Sequence, residues 1–258
     1  IFLNFLLKEV LKIKRIFNQI MASILVNSIY AMVNYPVVMI NTLLAPLSIL
    51  AVVTFASHGT LLSIGALGAL IMNMVQSGVS IQGDLSHLKN DMKLQDMVVS
   101  SPTSASIYLL GMAISEIVYS IPTISLLLIL NFLFVKATPL AWLLIFLDMA
   151  MIFTFSIALG FLLSTFSSDI VQSWAFAGIL SPLLSTIPPV YYPITYIPIP
   201  FRYISYLSPT TYAAEIAQSL AGYIHISIFE FITLWIILIV ITLIMFLLAI
   251  RKSRWREI

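Results

Sequence analysis

The chain has 258 residues, of which 61% are hydrophobic and only 9% are charged. A soluble globular domain typically has about a quarter of its residues charged, so this composition excludes a soluble domain. The absence of cysteine excludes disulfides and thiolate metal sites, and the formal net charge is only +2. The composition predicts an all-α polytopic membrane protein.

The first 34 residues predict a basic amphipathic helix. Lys8, Lys12 and Arg15 recur three or four residues apart, and apolar side chains fill most of the surface between them. A helix of this kind lies in the plane of the membrane and does not cross it. Packing against the body of the protein is equally compatible with the pattern. Residues 1–34 are thus predicted to be an interfacial helix, and residues 35–258 a transmembrane domain.

Six apolar stretches follow the N-terminal helix. A helix needs about 20 apolar residues to cross a bilayer, and by this measure the third and fourth stretches are long whereas the fifth is short. We predict six transmembrane helices, over Pro36–Ala56, Leu61–Val79, Ile107–Val135, Leu140–Phe166, Val171–Ile187 and Ile226–Ile250.

Basic residues determine the predicted orientation. In a six-span arrangement, Lys136 and Arg202 lie on one side of the membrane and the other ten basic residues on the opposite side. Because cytoplasmic segments are enriched in lysine and arginine, both termini and residues 82–102 are predicted to be cytoplasmic, in a multi-pass protein of the cell (plasma) membrane. Topology and anionic lipids explain these charges, so no nucleic acid partner is expected. The ten residues are Lys8, Lys12, Lys14, Arg15, Lys89, Lys93, Arg251, Lys252, Arg254 and Arg256.

The longest polar stretch, QGDLSHLKNDMKLQDMVVSSP, spans Gln82 to Pro102 between the second and third predicted spans. Leu85, Leu88 and Met92 recur at roughly helical spacing, and charged side chains cover most of the remaining surface. The pattern predicts a short amphipathic helix outside the bilayer. Its apolar stripe needs a surface to pack against, and lipid headgroups and a second protein are the two candidates.

A second unusual stretch, Ser181–Glu215, contains seven of the twelve prolines and six of the eleven tyrosines. Prolines at this density prevent a continuous helix, and irregular backbone cannot face lipid at membrane depth. The fifth span is therefore predicted to end near Pro188 on the outer side. Residues 188–222 then form a re-entrant or interfacial segment with short helices near Phe201–Tyr206 and from Thr210 or Thr211 to Ala221. An aromatic anchor without contact to a substrate is the alternative interpretation.

Two local motifs accompany this arrangement. The polar loop ends in VVSSPTSASIYLLG (Val98–Gly111), which includes Ser101 and Pro102, and the outer segment ends in YISYLSPTTYAAE (Tyr203–Glu215). Together with six spans and the N-terminal helix, these motifs resemble the ABC type-2 transporter permease family over nearly the whole chain. The chain departs from many relatives in one element, because Lys89–Leu94 lacks the Gly and Thr of their Glu-x-Gly-Thr-type loop sequence.

The resemblance implies the permease subunit of an exporter of drugs, polysaccharides or lipids, with a hydrophobic or amphipathic substrate. Two permease copies, here a homodimer, would pair with two ATPase subunits, and the N-terminal helix would be the connecting helix. The polar loop would supply the coupling helix, through Asp84, Leu85, Leu88, Lys89, Met92, Leu94, Asp96 and Met97. The outer segment would gate substrate exit, through Pro188, Pro189, Tyr191, Tyr192, Tyr196, Tyr203 and Tyr206.

No nucleotide-binding motif occurs in the sequence. A P-loop needs a Gly-Lys pair, because the lysine reaches the phosphates from a glycine-rich turn, and none of the nine glycines precedes a lysine. We therefore expect no enzyme activity and no cofactor in this chain, with ATP and magnesium bound by a partner ATPase. His58, His87 and His225 are too scattered to predict a metal site.

Two carboxylic acids lie inside predicted spans, Glu116 in the third and Asp148 in the fourth. An ionisable group at that depth costs a few kcal/mol, so each is a candidate functional residue. The alternative is that each is protonated or hydrogen-bonded and only orders the helices. In a different class of protein, a stand-alone proton-coupled transporter or channel, the same two residues would form a proton relay.

Overall fold

The computed structural model describes residues 2–86, 105–167 and 169–252. Within these ranges the secondary structure is entirely helical, as predicted. A π-helical turn, Leu25–Ile29, joins the first two α-helices, and a 3₁₀ turn, Ile194–Tyr196, precedes the eighth. The ten α-helices of the described chain are α1 (Phe2–Ile24), α2 (Tyr30–Asn34), α3 (Pro36–Ala56), α4 (Leu62–Ser86), α5 (Ala105–Phe134), α6 (Pro139–Ser164), α7 (Ile170–Ser185), α8 (Ile199–Ser205), α9 (Pro209–Leu220) and α10 (Ile228–Lys252).

Five helical stretches of the described chain are long and apolar enough to cross a membrane. One of them, Leu11–Asn34, belongs to the segment that the sequence predicts to lie at the membrane interface. Its length and composition would instead allow it to cross the membrane. Thr42–Ala56 and Ile170–Ser185, which occupy the places of the predicted first and fifth spans, are shorter apolar stretches. The predicted total of six spans is therefore not confirmed. The other four candidate spans are Leu62–Ser86, Leu110–Phe134, Pro139–Ser164 and Ile228–Arg251.

Helix α4 continues further than the sequence predicts. The sequence predicts that the polar loop begins at Gln82, but α4 extends to Ser86. Its last turn is buried because Leu85 packs in a small apolar cluster with Met112 of α5 and Phe161 of α6. These contacts place the first five residues of the predicted loop in the helical bundle.

Proline and capping side chains begin several of the helices. Pro36 and Pro139 occupy the first position of α3 and α6, where the missing N–H costs no hydrogen bond. The Thr138 hydroxyl accepts a hydrogen bond from the Ala141 N–H at 3.2 Å, and Asp169 Oδ1 accepts one from the Gln172 N–H at 2.7 Å. These signals explain why the predicted starts of α3, α6 and α7 agree with the structure to within one residue.

The central helix of the bundle is α4. Nearly every residue from Ile64 to Leu85 is buried, because α4 packs against α3, α5, α6, α7 and α9. A helix that is surrounded on every side has no solvent-facing stripe, so small and apolar residues cover most of its circumference. The position of α4 therefore determines where the helices around it lie.

Two glycines allow α4 and α6 to approach closely. A Cβ atom added at Gly160 of α6 would lie 2.8 Å from the Gly78 carbonyl oxygen and 2.8 Å from Cγ2 of Ile81. A Cβ atom added at Gly78 would overlap Ser156 of α6. In a membrane, helices associate mainly through such close packing. The contact between the two backbones therefore fixes the register of α4 against α6.

We predict that Gly160→Ala destabilises the protein, because the added methyl group must displace the α4 backbone. Overpacking of this kind costs about 1–3 kcal/mol. Gly178→Ala in α7 is the matched control, since no atom lies within 4 Å of the added Cβ atom. Thermal unfolding of the purified protein in detergent should show a lower midpoint for Gly160→Ala and an unchanged or higher midpoint for Gly178→Ala. Equal midpoints would contradict the close contact.

Candidate functional site

Hydrogen-bonded polar side chains are concentrated at opposite ends of α4. The stem seam is the group formed by Ser77, Ser80 and Asp84 of α4 with Glu116 and Ser120 of α5. The cap is the segment 186–222, which contacts α4 near its beginning. The two helices of the stem seam flank residues 87–104, so the seam and the cap lie at opposite ends of the bundle.

The stem seam joins α4 to α5 through three side-chain contacts. Ser120 Oγ donates a hydrogen bond to Ser77 Oγ at 2.7 Å, and Ser80 Oγ donates one to Glu116 Oε2 at 2.9 Å. The carboxyl group of Asp84 lies close enough to that of Glu116 for the two groups to interact electrostatically. Glu116 is only 7% exposed, whereas Asp84 is half-buried at the end of α4. The contacts extend over two turns of α4 and hold the two helices in one register.

The N-terminal helix contacts the same part of α5. Ser28 Oγ donates a hydrogen bond to the Ser115 carbonyl oxygen at 2.5 Å, and the hydroxyl oxygens of Ser23 and Ser115 lie 3.3 Å apart. Asn27 Nδ2 lies 3.2 Å from the sulfur of Met112. Both Ser28 and Ser115 are buried. The N-terminal segment is therefore packed on the helical bundle through polar contacts, which is one of the two arrangements that its sequence allowed.

Asp148 lies apart from the stem seam. Its carboxyl group is fully buried in α6, and neither oxygen has a hydrogen-bond partner among the described residues. Because Gly78 of α4 meets Ser156 of α6, Asp148 is displaced from that contact by eight residues, or about 12 Å along the helix. The structure therefore does not bring Glu116 and Asp148 together.

The start of the cap enters the bundle. A Cβ atom added at Gly68 of α4 would lie 2.5 Å from the carbonyl oxygen of Val190, so the two backbones touch. Val190 and Tyr191 are buried, and the Tyr191 hydroxyl donates a hydrogen bond to the sulfur of Met72 at 2.9 Å. The irregular backbone that follows α7 is thus shielded by protein, as irregular backbone at membrane depth requires.

Side chains of α9 satisfy backbone groups in the irregular part of the cap. Gln218 Nε2 donates hydrogen bonds to the carbonyl oxygens of Pro189 at 3.1 Å and Tyr192 at 3.4 Å. The hydroxyls of Thr210 and Thr211 donate to carbonyl oxygens earlier in the chain. Helix α9 spans Pro209–Leu220, so it begins one or two residues before the start that the sequence predicts, and both threonines lie within it.

Tyr206 and Glu215 form a hydrogen-bonded pair of titratable side chains in the cap. The Tyr206 hydroxyl donates a hydrogen bond to Glu215 Oε1 at 3.0 Å. Burial raises the pKa of Glu215 above its ordinary value, although the hydrogen bond from Tyr206 opposes that shift. Burial and the neighbouring Glu215 raise the pKa of Tyr206 to about 12. This hydrogen bond connects the turn after α8 to the middle of α9.

Two largely apolar cavities adjoin these regions. The first, of about 600 Å³, opens beside the cap. The second, of about 340 Å³, lies between α4, α5 and α6 and includes Ser77 of the stem seam in its wall. Cavities with apolar walls suit hydrophobic or amphipathic molecules. The first is lined by Ile187, Tyr192, Tyr196, Ile197, Pro198, Phe201, Ile204 and Ser205.

The structure describes only some of the residues that the sequence selected. Asp84 and Leu85 lie in the last turn of α4, and the remaining predicted coupling residues, Leu88, Lys89, Met92, Leu94, Asp96 and Met97, lie outside the described residues. Among the predicted gate residues, Pro188, Pro189 and Tyr191 are buried, Tyr192 and Tyr206 are half-buried, and Tyr196 and Tyr203 are exposed. Over the described ranges, no three His, Asp or Glu side chains lie close enough to share a metal ion.

Sequence reasoning missed the serines of the stem seam. The spacing of these residues could have revealed them. Ser77, Ser80 and Asp84 follow one another at intervals of three and four residues, and Ser120 follows Glu116 by four. Residues at these separations lie on one face of a helix. Two apolar helices that each present a polar face are expected to pair through those faces.

The comparison with known families agrees with this architecture. The sequence matches the family model described as ABC-2 type transporter over residues 2–221, a region that includes the stem seam and nearly all of the cap. No curated protein matches the sequence. The matched domain is the transmembrane component of an ABC transporter and not its ATPase. The chain therefore belongs to the ABC-2 type transporter family, as a multi-pass membrane permease component.

Proposed function

We propose that this chain is the permease subunit of an exporter driven by ATP hydrolysis on a separate subunit. The observation on which this proposal mainly rests is the stem seam, since it joins the two helices that flank residues 87–104. In the proposed mechanism those residues include the coupling helix that docks on the ATPase. Closure of the ATPase, with its bound ATP and magnesium, then moves α4 and α5 as one unit because their side chains are hydrogen-bonded.

The proposed substrate is hydrophobic or amphipathic and leaves the cytoplasm or inner leaflet between two copies of the permease. The two largely apolar cavities support this substrate class. The cap is the proposed exit gate, because it inserts buried residues beside α4 and lines the larger cavity with aromatic side chains. Both termini are proposed to be cytoplasmic, in a six-span homodimer surrounded by the lipids of the plasma membrane.

A stand-alone proton-coupled transporter is the second candidate, because Asp148 is fully buried without a hydrogen-bond partner among the described residues. Such a residue is typical of a proton pathway. The separation of Asp148 from Glu116 weighs against a relay between them. Proton-coupled flux in vesicles that contain this protein and no ATPase would favour the second candidate.

We predict that the permease purifies in complex with a P-loop ATPase when it is produced together with the products of neighbouring genes. The complex should hydrolyse ATP, and a hydrophobic substrate should stimulate that hydrolysis. The measurement is co-purification in detergent followed by an ATPase assay. A permease that purifies alone and activates no ATPase would contradict the proposed function.

The double variant Leu88→Asp with Met92→Asp should abolish co-purification and ATPase stimulation, because two charges replace the apolar stripe of the proposed coupling helix. His225→Asp is the control, since His225 is exposed and follows the cap, whereas the stem seam lies at the other end of the bundle. Thermal unfolding of both purified variants tests whether the fold is retained. If the double variant is folded and still binds the ATPase, the loop does not dock there.

Gln218→Met should reduce the amount of substrate transported per ATP hydrolysed. The substitution preserves side-chain volume but removes both hydrogen bonds to the irregular part of the cap, each buried acceptor left unpaired costing about 1–3 kcal/mol. Ser219→Ala is the matched control, because the Ser219 hydroxyl donates to the Ile216 carbonyl oxygen of its own helix. Transport and ATPase activity are measured in the same proteoliposomes. If both variants transported the same amount of substrate per ATP hydrolysed, the result would contradict a gating role for the cap.

A further inference from the structure

Helix α8 of the cap bears apolar side chains that are exposed in the described chain. Ile199, Phe201, Tyr203 and Ile204 are each more than half exposed. The helix has seven residues, which is too few to cross a bilayer, and it lies between the apolar helices α7 and α10 in the chain. A short helix with exposed apolar and aromatic side chains suits the surface of a membrane. We therefore expect α8 to contact lipid.

The larger of the two cavities lies against the same helix. Phe201, Ile204 and Ser205 of α8 form one part of its wall, and Ile187 and Tyr192 form another. Its volume of about 600 Å³ falls within the range of roughly 300–1,000 Å³ that is typical of small-molecule sites, and its wall is largely apolar. Because the cavity opens to the surface, an apolar chain can enter it from outside the protein.

A positive charge lies at the edge of this cavity. Arg202 Nη2 donates hydrogen bonds to the carbonyl oxygen of Ile197 at 3.1 Å and to that of Thr195 at 3.3 Å, and Ile197 lines the cavity. The buried Nε has no hydrogen-bond partner among the described residues, and none of them accepts a hydrogen bond from Nη1. A guanidinium keeps its charge at any physiological pH. The described part of the protein thus leaves this charged group incompletely paired.

The acids in the cap and at the start of α10 are engaged elsewhere. The charge of Arg202 opposes the rise in the pKa of Glu215, so the two groups lie near each other, but the Glu215 carboxyl group accepts its hydrogen bond from the Tyr206 hydroxyl. Glu230 accepts a hydrogen bond from the Ser227 N–H at 2.8 Å. Over the described residues, Arg202 therefore forms no ion pair with a carboxylate.

We propose that the cavity and Arg202 together bind one anionic phospholipid of the surrounding membrane. An acyl chain occupies the cavity, and the guanidinium binds the phosphate at its edge. Arginine pairs well with phosphate because its planar N–H donors match the phosphate oxygens. A lipid with a net negative charge is favoured over a zwitterionic one, because the nearby carboxyl groups are already hydrogen-bonded and do not pair with a headgroup cation. The bound lipid joins α8 to the beginning of the cap and stabilises both.

The site is tested on the purified full-length permease in a neutral detergent, without any ATPase. Added phosphatidylglycerol should raise the midpoint of thermal unfolding to a plateau, because a ligand that binds only the folded protein stabilises it. Phosphatidylcholine with the same acyl chains should need roughly tenfold more lipid for the same rise, since it lacks the net negative charge. Equal responses to the two lipids would overturn the proposal.

Arg202→Gln should abolish the preference for phosphatidylglycerol. Lys136→Gln is the matched control, because Lys136 is exposed between α5 and α6 and is the other basic residue predicted to lie on this side of the membrane. Arg202→Lys should retain a weaker preference, since an ammonium group keeps the charge but lacks the planar donors. An unchanged preference in Arg202→Gln would overturn the proposal. An equal loss in Lys136→Gln would also overturn it, because general attraction of anions would then explain the preference.

The cavity is tested separately, with Arg202 intact. Ile204→Asn should weaken the binding of phosphatidylglycerol roughly fivefold, because it places a polar group in the wall that contacts the acyl chain. Leu207→Asn is the control, since Leu207 is exposed and lies outside that wall. Equal binding by these two variants would overturn the proposal even if Arg202→Gln does not fold. Inorganic phosphate that raises the midpoint to the same plateau would overturn it too, because the site would then bind a free anion and not a lipid.

Discussion

The direct contact between the backbones of α4 and α6 is the constraint on which the rest of the bundle depends. Gly78 and Gly160 let the two backbones touch, so neither helix can slide without a clash. The beginning of α4 lies beside the cap, and its other end is joined to Glu116 and Ser120 of α5. The buried helix α4 therefore sets the distance between the cap and the stem seam.

The sequence was sufficient to predict the all-helical class, the family and the positions of most long helices. Pro36, Pro139 and the apolar run of α10 mark helix starts through local chemistry, and local chemistry is visible in a single sequence. The polarity of residues 82–86 predicts a loop outside the bilayer, whereas most of these residues are buried in α4. Asp84 is polar, yet the contacts of its neighbour Leu85 keep the last turn inside the bundle. Those contacts come from α5 and α6, which are distant in sequence.

The cap shows the same division between local and long-range information. Its prolines predict an interruption of the helix, because proline lacks the N–H that a helix needs. They do not predict which groups will pair with the exposed carbonyl oxygens. Gln218 performs that role from 26 and 29 residues away, and nothing in its immediate sequence distinguishes it from any other helical glutamine. Burial of Tyr191 was likewise not predictable, since tyrosine is equally common at a membrane interface.

Ser115 and Glu116 are neighbours in sequence, but on a helix their side chains point about 100° apart. One contacts the N-terminal helix and the other contacts α4, so three helices meet within a single turn of α5. This turn of α5 therefore connects the N-terminal segment to α4. A twist of α5 about its own axis would displace the N-terminal helix and the end of α4 together, without disturbing the apolar middle of the bundle. In the proposed mechanism, a movement of α5 would therefore also move the N-terminal helix.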